Sequence, residues 1–147
     1  MSHFLLFVLV ERDPTAKHWR ATPVHEHRRR LHELMARHFA REPANKPGCT
    51  CDGYVVGGWY DGVLHGKPQE HGLTVEGVRR RFGVAFEKVS FEDNIRPVDE
   101  IPEGVCPFAV VRPDGSWLDV EEHGAPAIRE ALTSHADCLA IAVDCHR

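Results

Sequence analysis

The chain of 147 residues has little that would carry it into a membrane. Its longest apolar run, Phe4 to Val10, is seven residues, whereas a helical span needs about 20. The run also lacks the basic stretch and the small-residue cleavage site of a signal peptide. Positive charge is not in excess: 18 Lys and Arg against 22 Asp and Glu give a formal net charge of −4. That balance argues against a dedicated duplex-DNA binder, whose affinity comes from a basic face. No P-loop, nucleophile elbow, H-E-x-x-H or C-x-x-C pair occurs, and Gly57-Gly58 lacks the spacing of a dinucleotide fingerprint. Covalent and nucleotide-hydrolysing chemistry therefore has no motif behind it. The five cysteines are an odd number, and Cys49-Thr-Cys51 is too close for an easy internal bridge. Reduced thiols in a cytoplasmic compartment fit better than a disulfide framework.

What is present is the composition of a soluble globular domain, 42% apolar and 27% charged, in a length that suits one unit over 1–147. His3 to Val10 is apolar on both faces and predicts a central strand. Asp13-Pro14 marks a turn. Thr22 as N-cap and Pro23 at the first helical position open a helix to about Ala40. Its buried stripe is Val24, Leu31, Leu34, Met35 and Phe39; its histidines, with no three- or four-residue spacing for a metal pair, are solvated or at the boundary. Tyr54 to Val56 is a short strand. Leu64 to Gly72 is polar and irregular, Thr74 caps a second helix to Phe82, and Val84 to Phe91 is an imperfect strand. Glu92 to Gly104, with Pro97 and Pro102, is too polar for core and is expected as a linker. Cys106–Val111 and Ser116–Val120 flank Pro113-Asp114-Gly115, the turn chemistry of a β-hairpin. Ala125 to Leu132 is a third helix, and Leu139 to Cys145 a last apolar strand. Cys106 and Cys138 read as buried small hydrophobes. The order implies an α+β fold, a single domain with a mixed or largely antiparallel sheet and about three helices. Three helices are few for two sheet faces, so long loops or a second subunit of a homo-oligomer are expected to cover the remainder.

The densest stretch is Cys49 to Gly62, with four glycines between residues 53 and 62. Gly57 and Gly58 permit close backbone approach, and Tyr54, Trp59 and Tyr60 offer flat amphipathic surface. Such a segment can contact a ligand, or it can be a turn with its aromatics in the core. In the last strand Ala140, Ala142, Asp144 and His146 share one face. If the first and last strands pair antiparallel, His3 joins Asp144 and His146 at one edge. His3, Cys49, Cys51, Cys145 and His146 are the residue types zinc would use, but their spacing is poor and no cofactor is expected. Arg28-Arg29-Arg30 and Arg79-Arg80-Arg81 could flank an anion; successive helical residues diverge by about 100°, which favours a solvated face.

Four segments, taken in order, carry a resemblance: Met1-Ser-His-Phe-Leu-Leu-Phe-Val8, Asp52-Gly-Tyr-Val-Val-Gly-Gly-Trp-Tyr-Asp-Gly62, Pro107-Phe-Ala-Val-Val-Arg-Pro-Asp-Gly-Ser-Trp117 and Val143-Asp-Cys-His146. Together they resemble a family of small uncharacterised proteins of tailed-phage and prophage genomes. That family opens on a Ser-His-Phe strand, carries a Gly-Gly-Arg-Trp segment and a Pro-Asp-Gly hairpin, and ends in Asp-Cys-His. Here Trp59-Tyr60 stand where the family has Arg-Trp, so an arginine that could hold an anion is missing. The resemblance implies an accessory phage or mobile-element protein in the host cytoplasm and names no reaction.

Three functions compete. One is binding, without turnover, of a small anionic aromatic ligand resembling a nucleotide. Tyr54, Gly57, Gly58, Trp59 and Tyr60 would stack its base, while Trp117, Asp144, His146 and His3 supply further contacts. Sequestration of a host signal would be one use. Another is a metal-dependent hydrolase built on His3, Asp144 and His146. The third is inhibition of a host protein through the long loops.

Overall fold

The computed structural model describes residues 3–38, 51, 53–66 and 91–146. Its frame is one six-stranded mixed sheet, made of β1 (His3–Val10), β2 (Gly53–Val56), β3 (Ile95–Pro97), β4 (Ala109–Val111), β5 (Trp117–Asp119) and β6 (Leu139–His146). The described residues also form the helices α1 (Val24–Met35), α2 (Val120–His123) and α3 (Ala125–Ser134). This is the α+β class that the element order implies. Among the described residues no helix is long and apolar enough to cross a membrane.

The lateral order is β2-β6-β1-β4-β5, and β3 also pairs with β6. β1 and β6 occupy the middle because both are apolar on both faces, and a strand of that pattern is stable only when covered on both sides. They run antiparallel over their whole length, with His3 opposite His146 and Val10 opposite Leu139. The outer flank of β6 is divided: β2 pairs with its C-terminal half and β3 with its N-terminal half. β4 joins the other flank of β1 in parallel and continues into β5 through the hairpin. In that turn Gly115 sits at φ +87°, where a side chain would be strained, and its N–H donates to the Arg112 carbonyl at 2.8 Å.

Period two sorts the strand side chains into two cores. Phe4, Leu6, Val8, Ile141, Val143 and Cys145 meet Leu31, Leu34 and Met35 of α1. On the other side Leu5, Phe7, Leu9, Ala140 and Ala142 meet Ile128 and Ala131 of α3, with Val63 and Leu64 from the 3₁₀ turn Val63–His65. Phe7 and Leu9 are wholly buried, and each such side chain contributes roughly 1.5–3 kcal/mol relative to exposure. The small Ala140 and Ala142 let the second layer sit close.

Several expectations need correction. Helix α1 ends at Met35, and Pro23, not Thr22, occupies its N-cap position, without a side-chain bond. The expected end at Ala40 and the core role of Phe39 lie outside the described residues, as do the helix from Thr74 and most of the strand from Val84. His27 and His38 are buried rather than solvated; burial lowers the pKa of each imidazole. The segment read as a polar linker contributes β3, a buried Asn94 and the core residues Ile95 and Val98. Two apolar positions suffice for an edge strand against β6, and Pro97 is tolerated at a sheet edge. Leu64, placed in an irregular stretch, is wholly buried. Cys106, expected inside, is exposed, whereas Cys138 is buried as expected.

Candidate functional site

The antiparallel pairing of β1 with β6 brings His3 beside His146, and the alternation of β6 sets Asp144 on the same face. Their rings lie 5.4 Å apart. Next in the row, β2 places Gly53 opposite His146, and a Cβ there would come within 2.7 Å of the imidazole. Glycine at 53 is what lets the His146 ring lie across β2.

Asp144 is the centre of this corner. Its side chain is wholly buried, yet both oxygens have partners: Oδ1 is 2.8 Å from His3 Nδ1, and Oδ2 accepts the Trp59 backbone N–H at 2.9 Å. A buried carboxyl group is tolerated only when its oxygens are satisfied in this way. Since a carboxylate only accepts, the proton between the two groups belongs to Nδ1, which orients the His3 ring. The Trp59 indole then stacks on that ring, centroids 3.8 Å apart and planes within 9°. Trp59 thus acts twice, its backbone holding the carboxyl group and its side chain covering the imidazole.

The glycines are the condition for this closure. Gly58 stands at φ +52°, and a Cβ on it would run into the Asp144 side chain. Gly57, whose N–H donates to the Ala142 carbonyl at 2.9 Å, would with a Cβ meet the Asn94 amide at 2.8 Å. Asn94 is a part of the site that the sequence reading missed. It is wholly buried, donates to Asp61 Oδ1 at 2.8 Å and accepts the Gly62 N–H at 3.0 Å, and so ties down the far side of the loop. The only signal was an asparagine between Phe91 and Ile95, an apolar pair inside a segment otherwise rich in charge.

Of the proposed ligand contacts, the structure gathers His3, Gly57, Gly58, Trp59, Asp144 and His146. Tyr60 is near them, half-buried against the α3-side core; burial and the neighbouring Asp144 both raise its pKa. Tyr54 and Trp117 are not part of the group. Both pack on the α1 side of the sheet, because Tyr54 pairs with Cys145 and Trp117 with Val111, whose side chains face that way. There the Tyr54 hydroxyl lies 2.5 Å from His32 Nδ1. Trp117 Nε1–H donates to Asp119 at 2.9 Å, and its ring lies 5.3 Å from that of His38.

Among the described residues no three His, Cys, Asp or Glu side chains are arranged to hold a metal ion. In the corner itself, both Asp144 oxygens are already engaged. Buried Cys51 and Cys145 belong to the α1-side core, and Cys49 lies outside the described residues. His146 Nδ1, in the same corner, is buried with no hydrogen-bond partner among the described residues. No protein family, curated protein or solved structure matches this chain.

Proposed function

We propose that the corner where the two central strands end binds a small planar anion of nucleotide type without turning it over. The observation that carries this reading is the Trp59–His3 stack fixed over buried Asp144. An indole and an imidazole already held parallel extend naturally to a third flat ring, at little further cost in ordering. His146, whose buried Nδ1 has no partner among the described residues, adds a polar group beside the stack. The four-segment resemblance to phage and prophage proteins supports an accessory role, in which sequestering a host signal needs affinity and no turnover.

Thermal-shift titration with adenosine and guanosine monophosphate tests the reading. A ligand at about 100 times its Kd stabilises by roughly 2.7 kcal/mol. Trp59→Ala should remove that shift while leaving the fold intact, because the bond to Asp144 comes from the backbone N–H. No shift with either nucleotide would count against the proposal.

A second reading, hydrolysis using His3, Asp144 and His146, has one observation in its favour: the Asp144–His3 bond is the arrangement that orients an imidazole for proton transfer. Its metal-dependent form needs an ion that these residues do not converge upon. Metal analysis of the purified protein, with chromatography of nucleotides after incubation, separates it from binding alone.

A further inference from the structure

At the opposite end of β1 the chain leaves the sheet beside the parallel strand β4 and turns back into α1. Outside the carboxyl ends of such strands an open sheet commonly leaves a crevice for ligands. Here a groove of about 540 Å³ runs between residues 10–16 and the Pro23, Glu26, His27 and Arg30 face of α1. Glu11, Arg12, Asp13 and Ala16 are shared with a larger groove of about 1160 Å³ on the β4 side. β1 has eight residues, so at about 3.3 Å each this groove is roughly 23 Å from the His3 corner.

Two side chains give the groove its chemistry. His27 is 6% exposed, and its Nε2 is buried with no hydrogen-bond partner among the described residues. In a neutral ring with its proton on Nδ1, Nε2 carries a lone pair and has nothing to accept from. Arg12 is exposed and makes no hydrogen bond or ion pair with the described residues. Of the other charged groups, Glu26 bonds Arg29 at 3.2 Å, Arg30 bonds Glu33 at 3.3 Å and the Pro113 carbonyl at 3.1 Å, and Asp13 accepts from Thr15, while Glu11 is exposed to solvent. A ligand that meets both Arg12 and His27 brings negative charge for a guanidinium and an O–H for a neutral imidazole. Inorganic phosphate combines the two, since both of its forms near neutral pH keep an O–H; a monoester keeps one only in its monoanionic fraction, below a second pKa of about 6.

We propose that the groove between residues 10–16 and α1 is a binding site for a proton-bearing oxyanion of the phosphate class, its charge held by Arg12 and its O–H given to His27 Nε2. The site is independent of the His3 corner, and Trp59→Ala should leave it unchanged.

The test is NMR titration of the full chain with inorganic phosphate, with a sugar phosphate, and with sulfate, which has no O–H at neutral pH. Saturable phosphate binding should move the His27 ring nitrogens, and Arg12→Gln, an exposed change, should weaken it about tenfold. Sulfate should bind at least about tenfold more weakly. The tighter of inorganic and sugar phosphate tells whether the site takes the free ion or a monoester. Three results overturn the proposal: no saturable binding by about 10 mM phosphate, a His27 ring unmoved at saturation, as when a buried water satisfies Nε2, or equal affinity for sulfate.

Discussion

Gly58 and Asp144 fit each other so closely that neither tolerates change. At Gly58 an alanine meets two penalties, the φ of +52° and the collision with Asp144. At Gly66 the φ is +77° with nothing within 4 Å of a Cβ, so only the conformational penalty applies. Denaturant unfolding should show Gly66→Ala destabilised by roughly 1–2 kcal/mol and Gly58→Ala by at least about 2 kcal/mol more. Similar losses would mean that the loop does not press on Asp144. For Asp144→Ala, which strips two donors of their acceptor in a buried setting, the same measurement should give roughly 3–5 kcal/mol. Asp144→Asn keeps one acceptor and should cost clearly less. At this scale the sequence was partly legible: period two placed Asp144 and His146 on one face, and glycine density pointed to close approach. That Gly58 serves a carboxyl group three strands of sequence away was not legible, because a glycine's neighbour is decided by the tertiary fold.

Helix α1 shows how burial sets the behaviour of an element. His27 on the helix and His38 in the turn just past its end are held below the ordinary imidazole pKa of 6.5 mainly by desolvation. The unfolded chain then binds more protons near that pH than the folded one, so stability rises with pH through this range. Stability should be fully present above about pH 7 and fall as the pH drops through 6.5 toward the folded-state values. Unfolding curves at about pH 8 and pH 5.5 measure the difference, and His38→Gln should reduce it. An unchanged slope in that variant would contradict the assignment. Sequence periodicity found the stripe but put the histidines at the boundary, because imidazole is polar enough to sit on either side. What decides is a partner from elsewhere, for His38 the Gly115 carbonyl at 2.7 Å. The hairpin, by contrast, was legible in full, since its turn residues act locally. β3 was missed because an edge strand of three residues has too short a pattern to read against its charged surroundings.

In the whole molecule the decisive event is the side-by-side placement of β1 and β6. Two strands apolar on both faces compete for the middle of the same sheet, and a mixed sheet with one long antiparallel pair satisfies both. The sequence supported that placement, and with it the meeting of His3 and His146. It did not reveal that β2 and β3 divide one flank of β6, or that Tyr54 and Trp117 fall on the far side of the sheet. Both facts follow from register, which no single segment specifies. The corner assembled by this topology is rigid where it is buried, at Asp144, and presents flat, half-buried rings above.

The most direct measurement is calorimetric titration of the protein and of Trp59→Ala with a purine nucleoside monophosphate, alongside unfolding curves for both. The account predicts saturable binding of about one ligand per chain, lost in a variant that still unfolds cooperatively. Absence of binding in the unaltered protein, or equal affinity in Trp59→Ala, would contradict it.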